Sequence, residues 1–269
     1  MSSTGTESRN PRARGLSQRS TREVLELMND EDARVAGAVR LATPEIARAV
    51  DAIVAALGKG GQVIYVGAGT SGRLGVLDAS EMPPTFGVPP ELFRAVIAGG
   101  DTALRLAVEG AEDDEEAGRR DVARVAGAND VVVGISASGR APYVLGGLTA
   151  GDGAGAVTVG ITCNAGSALA RSARIPVVID VGPEIIAGSS RLKAGTATKL
   201  VLNMLSTGAM VRSGRTRDDL MVDMHASNAK LRERAIGIVR AETGTDEAEA
   251  RRRLEAADWS VREALDRQR

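Results

Sequence analysis

From Thr21 to Leu57 the apolar residues fall at helical spacing: Val24, Leu25 and Met28, then Val35 and Val39, then Ile46, Val50, Ile53, Val54 and Leu57. That period predicts amphipathic helices. Glu23 after Thr21, and Pro44 after Thr43, are the residues that start helices. Beyond Val63 the period changes. Short, continuous apolar runs appear at Val63–Val66, Ala95–Ala98, Val131–Ile135, Ala156–Ile161 and Ile175–Ile179, with helix-compatible sequence between most of them. A run that is apolar at every position, rather than alternating, reads as a strand buried on both faces. Helical spacing returns over Gly195–Val211 and from Asp218 to Val239, and the charged end shows two short helical patterns, Ala250–Ala257 and Val261–Leu265. The pattern therefore predicts an α/β protein: an open parallel sheet flanked by helices, with helices before it and a small helical appendage after it. Residues 1–20 read as a polar arm, 21–240 as the main domain and 242–269 as the appendage.

Composition narrows the chemistry. The chain has 269 residues, 43% of them hydrophobic and 26% charged, enough to bury a core as one large domain with a small addition. A net charge of -1 offers no electrostatic case for nucleic acid or an anionic membrane surface. Aromatic residues are only 2%, too few for stacking platforms. No apolar run is long enough to cross a bilayer, and the N-terminus has no apolar signal core. One cysteine, Cys163, fits a reducing compartment, so a cytoplasmic protein is expected. With a single histidine, His225, a zinc site of nitrogen and sulfur ligands is not expected, and both residues read as structural. No metal and no cofactor is expected.

Three loops carry candidate chemistry. The first strand runs into Gly67-Ala68-Gly69-Thr70-Ser71-Gly72-Arg73. Glycines let backbone amides approach an anion at a helix N-terminus, and Thr70 and Ser71 add hydroxyl donors suited to a phosphomonoester. The same letters contain the dinucleotide fingerprint, but its acidic partner is displaced to Asp101, behind Gly99 and Gly100. A structural tight turn is the plain alternative. The third strand ends in Ser136-Ala137-Ser138-Gly139-Arg140, a second hydroxyl- and glycine-rich loop, whose serines would otherwise cap a helix. Ligands of open parallel sheets bind beyond the carboxyl ends of the strands, so both loops point to one anionic ligand held by Gly69, Thr70, Ser71, Ser136, Ser138 and Gly139. A third cluster, with Ser189, Ser190, Arg191 and Lys193, offers more hydroxyls and two cations for substrate contact.

The block from Gly67 to Glu81, continued by Pro83-Pro84-Thr85-Phe86-Gly87, resembles the signature of N-acetylmuramic acid 6-phosphate etherases. Ala98-Gly99-Gly100, Glu109-Gly110-Ala111-Glu112-Asp113, Ser138-Gly139-Arg140, Gly182-Pro183-Glu184, Gly188–Gly195, Leu202-Asn203-Met204 and Leu220-Met221-Val222-Asp223 match as well, and the likeness runs from Thr6 to the end. Departures fall at Gly15-Leu16-Ser17-Gln18, at Ala141 where threonine is usual, and at Thr198 where glutamine is common. The resemblance implies the sugar-isomerase (SIS) fold and a homodimer. It also implies a lyase that removes the D-lactyl ether at C3 of the sugar by elimination and water addition, in amino-sugar catabolism and cell-wall recycling. It makes Glu81 the acid/base catalyst and Glu112 the second functional carboxylate. Met82, Pro83, Pro84 and Phe86 would shield Glu81, which suits a residue that shuttles a proton. For Glu112 the plain reading is a solvated acidic helix start. The related glucokinase regulatory protein binds sugar phosphates without reacting them, so a non-catalytic sugar-phosphate-binding regulator is the alternative, with an aldose–ketose isomerase on the same fold behind it.

Overall fold

The computed structural model describes residues 5–224, 226 and 228–266; His225 lies outside them. Contacts divide the chain into two compact units, one of Met1–Ala79 with Glu91–Ala209 and one of Ser80–Pro90 with Met210–Arg269.

In the first unit, α1 (Thr21–Asp32) starts at a reciprocal cap, in which Ser20 Oγ accepts from the Glu23 amide and Glu23 accepts from the Ser20 amide. α2 (Val35–Leu41) and α3 (Thr43–Leu57) follow, α3 with Pro44 in its first turn, where the missing N–H is harmless. β1 (Val63–Gly67) leads into α4 (Gly69–Phe86), a helix whose last residues are counted in the second unit. After β2 (Phe93–Ile97), α5 (Glu115–Ala123) is capped by Asp114 and leads to β3 (Val131–Ile135). α6 (Pro142–Gly153), β4 (Val157–Thr162), α7 (Ala168–Ser172), β5 (Ile175–Val178) and α8 (Lys193–Arg212) complete the alternation. The sheet is wholly parallel in the order β2-β1-β3-β4-β5. Every residue of β1 and β3 is buried, as continuous apolar runs require of strands covered on both faces. β2 begins two residues before the expected apolar run, at Phe93.

The N-terminal segment of this unit is tied down. Thr6 is fully buried and its carbonyl accepts from the Gly188 amide at 3.1 Å, Asn10 donates to the Pro183 carbonyl at 3.3 Å, and Arg12 pairs with Glu31 and Asp30.

The second unit holds α9 (Ala229–Thr243), α10 (Glu247–Ala256) and α11 (Val261–Asp266) around Val222, Met224, Ala235, Val239, Ala250, Leu254 and Val261. One helical expectation fails here. The described residues from Asp218 to Asn228 are not helix, because Asp218 takes a left-handed φ of 49° in a tight Arg217–Leu220 turn and Asn228 caps α9 through the Leu231 amide.

Candidate functional site

The strand order reverses between β1 and β3, and a cavity of about 420 Å³ opens beyond their carboxyl ends. One wall is the start of α4. Gly67 and Gly72 approach so closely that a Cβ on Gly67 would lie 2.6 Å from the Gly72 nitrogen, and Gly69 takes a left-handed φ of 53°. Only glycine meets these demands, and they bring the α4 N-terminus, with its unpaired amides and positive dipole end, onto the cavity. Gly69, Thr70 and Ser71 line it.

The opposite wall is the β3–α6 loop. Ser136 Oγ accepts from the Gly139 amide at 3.1 Å and lies 3.4 Å from Ser138 Oγ, which accepts from the Arg140 amide at 3.3 Å. Gly139 has a φ of 65°, and a Cβ there would lie 2.3 Å from Ser167 Oγ. The loop is therefore wound on itself by its own serines. Neither serine caps α6, whose N-cap position is Ala141 with no side-chain bond. Ser136, Ser138, Arg140 and Ala141 line the cavity; Gly139 shapes the loop without lining it.

Glu112 and Asp113 border the same cavity from the short turn Ala111–Asp113, and Glu112 is exposed. Asp114, not Glu112, caps α5, so Glu112 is not spent on starting that helix. Glu7, unforeseen from the sequence, also lines the cavity. Its position follows from the bond between Thr6 and Gly188, which no periodicity announces.

The third cluster divides. Gly188 and Ser190 reach the cavity, but Ser189, Arg191 and Lys193 are not among its lining residues. The Lys193 ammonium is buried against Glu31 at 2.6 Å. The first amides of α8 are also engaged: Glu184, fully buried, accepts from Lys193 N at 3.0 Å and Ala194 N at 2.9 Å. Burial raises the pKa of Glu184 despite these two bonds. A carboxylate thus fills the α8 N-terminus, where an anionic ligand would otherwise be welcome. Arg73 is likewise committed, donating to the carbonyls of Ala103, Leu104 and Leu106.

Glu81 lies on α4 in the segment that belongs to the second unit, and it is exposed. The shielding expected for it is not there, because Met82 and Phe86 turn inward and are buried themselves. Cys163 is buried, and burial, with the nearby Glu184 and Asp180 carboxylates, pushes its thiol up to about 12, the state of an inert structural cysteine. Asp101 sits in a 3-10 turn after β2 and is not among the cavity's lining residues.

Two family descriptions match the chain: the glucokinase regulatory protein N-terminal SIS domain over residues 45–152 and the SIS domain over residues 107–208. Among solved structures, the phosphoheptose isomerase GmhA of Neisseria gonorrhoeae is similar with a TM-score of 0.56 at 19% identity, covering 71% of this chain and 100% of that one. The Vibrio vulnificus NanR protein complexed with ManNAc-6P is similar with a TM-score of 0.53 at 15% identity, covering 75% of this chain and 67% of that one. Those likenesses show the fold. An N-acetylmuramic acid 6-phosphate etherase of Aeromonas hydrophila is 54% identical over 98% of this chain and 89% of its own length. One of Clostridium beijerinckii is 51% identical over 97% and 86%. At that identity and coverage, the chain belongs to the N-acetylmuramic acid 6-phosphate etherase family.

Proposed function

We propose that the chain is a carbon–oxygen lyase that converts N-acetylmuramic acid 6-phosphate to N-acetylglucosamine 6-phosphate and D-lactate. The observation that carries this is the cavity at the strand-order reversal, lined by Thr70 and Ser71 of the α4 N-terminus, by Ser136 and Ser138 opposite them, and by Glu112. Hydroxyls and helix amides, with Arg140 also lining the cavity, suit a terminal phosphomonoester.

The phosphate tethers the sugar, and the sugar supplies its own activation. Ring opening exposes the C1 aldehyde and acidifies the C2 proton. A carboxylate removes that proton, the C3–O bond breaks with lactate leaving, and water adds at C3 of the unsaturated aldehyde. Glu81, by its match to the family block, takes the C2 proton, and Glu112 serves a second proton transfer. Two carboxylates share acid and base duties when their environments differ. The reaction draws on no metal and no redox cofactor.

The homodimer is proposed on the family resemblance. No helix among the described residues is long and apolar enough to cross a membrane, and we assign the reaction to the cytoplasm on the single buried thiol.

Incubation with N-acetylmuramic acid 6-phosphate and enzymatic assay of D-lactate tests the proposal. Stoichiometric D-lactate and N-acetylglucosamine 6-phosphate are expected. Tight binding of the sugar phosphate with no turnover would instead support the regulatory alternative.

A further inference from the structure

The segment that carries Glu81 belongs to the same compact unit as the C-terminal helices. Its own backbone cannot hold it well. Pro83 and Pro84 lie inside α4 and have no N–H to donate to the carbonyls one turn earlier, so the end of this helix lacks two of its ladder bonds. The turn beyond needs support from elsewhere, and Asp223 provides it. Gly87 closes the helix with a φ of 61°, and a Cβ there would lie 2.0 Å from the Asp223 carbonyl oxygen. The two backbones are in direct contact.

Asp223 is in turn gripped from α11. Arg262 Nε and Nη2 reach its two carboxylate oxygens at 2.5 and 3.0 Å, in the fork-on-carboxylate arrangement. Arg262 Nη2 also donates to the Gly214 carbonyl at 2.7 Å, and the Arg262 amide donates to the Val222 carbonyl at 3.1 Å. Arg215 lies 3.7 Å from the same carboxylate. A cavity of about 900 Å³ borders Pro83, Gly87, Arg215, Asp223 and Arg262. Met82 and Phe86 anchor the Glu81-bearing segment on its buried side, while on the side open to the cavity the clamp is the polar support for the turn that ends at Gly87.

We infer that Arg262 and Asp223 are positioning residues for Glu81: the C-terminal helices hold the proton-transfer carboxylate in place through the Arg262–Asp223–Gly87 chain of contacts. This rests on the reading of Glu81 as the C2 base. It gives the C-terminal helices a part in turnover and none in phosphate binding.

Four variants of the full chain test it: Arg262→Gln, Asp223→Asn, Gly87→Ala and Arg262→Lys. The first three break the chain of contacts at different links, so the test does not hang on one of them folding. With N-acetylmuramic acid 6-phosphate as substrate, each should lower kcat by about 10- to 100-fold while Kd for N-acetylglucosamine 6-phosphate stays within about twofold of wild type. Arg262→Lys keeps the charge but not the fork and should recover part of the loss. Exchange of solvent deuterium into C2 of N-acetylglucosamine 6-phosphate should slow by the same factor as kcat. Wild-type kcat in Arg262→Gln and Gly87→Ala would overturn the inference, as would a parallel loss of kcat and product affinity in all of them. A wild type that exchanges no C2 proton while releasing D-lactate would overturn the Glu81 reading itself, a separate outcome.

Discussion

Lys193 Nζ lies 2.6 Å from Glu31 Oε2 with both side chains buried, and Arg12 Nη1 meets the other Glu31 oxygen at 2.7 Å. The cluster ties the start of α8 to the end of α1 and to the N-terminal segment. Burial raises the pKa of Glu31, but the bonds from Lys193 and Arg12 lower it by more, and the net shift is downward. Removing Lys193 leaves the buried Glu31 carboxylate still paired with Arg12, so Lys193→Met should cost about 1–3 kcal/mol of stability, less than the loss of every partner would. Denaturant unfolding measures that. Calorimetry with N-acetylglucosamine 6-phosphate should show an affinity near wild type, since the ammonium faces Glu31 and not the cavity. A carboxylate held below its ordinary value of 4.5 stabilises the fold fully above that pH, and the contribution is lost as pH falls through the folded value. Glu31→Gln should therefore flatten the acid limb of a stability–pH profile.

Asp78 has the opposite sign. It accepts from Tyr65 Oη at 2.9 Å and from Ser206 Oγ at 3.1 Å, but burial outweighs both bonds and raises its pKa above 3.8. A raised folded value means stability is highest when the group is protonated and falls as pH rises through that value. Asp78→Asn should remove this dependence and leave neutral-pH stability near or above wild type. Asp78→Ala should destabilise, because each orphaned buried hydroxyl costs about 1–3 kcal/mol. Thermal melts from acid to neutral pH separate the two variants.

The fold was readable because its strands are apolar at every position, a pattern that Val131-Val132-Val133 carries openly. The two glycine-bearing loops that border the cavity were readable for a related reason: Gly67, Gly72 and Gly139 stand where a Cβ would collide, and collisions of that kind restrict the residue type. Long-range pairing leaves no such trace. Nothing in the spacing joins Thr6 to Gly188 or Lys193 to Glu31, so Glu7 was missed and Lys193 was expected at the substrate. The stretch after Asp218 has helical composition, yet Asn228 caps the next helix and Asp218 turns left-handed, and local geometry overrides the period. The approach of Gly87 to Asp223 within the second unit likewise joins residues far apart in the chain and leaves no trace in the spacing.

Ser71→Ala and Ser138→Ala should each weaken binding of N-acetylglucosamine 6-phosphate by about 1–3 kcal/mol, the range for a lost bond to a charged group. The same loss should appear with inorganic phosphate if the serines hold the phosphate and not the sugar. Gly139→Ala should do more damage than either. Its φ of 65° and the 2.3 Å approach of Ser167 Oγ leave no room for a methyl group, and the loop that carries both serines would have to move. Titration calorimetry on all of them, ranked by affinity, checks that order.

Glu81→Gln keeps the size and hydrogen-bonding capacity of an exposed side chain, so the variant should fold and bind N-acetylglucosamine 6-phosphate as the wild type does. Loss of a positioned acid/base typically costs about 10²–10⁴-fold, and turnover should fall by at least about a hundredfold. Isotopes then identify the bond that breaks. In deuterated water the wild type should place deuterium at C2 of N-acetylglucosamine 6-phosphate, because the proton removed there is returned from solvent. In ¹⁸O water the label should enter at C3, because lactate departs with the ether oxygen and water replaces it. Glu81→Gln should slow both labels together, whereas Glu112→Gln, acting at a separate proton transfer, should slow net turnover more than C2 exchange. Label appearing in lactate, with C2 unlabelled, would mean displacement at the lactyl carbon, and neither carboxylate would then hold the role assigned to it.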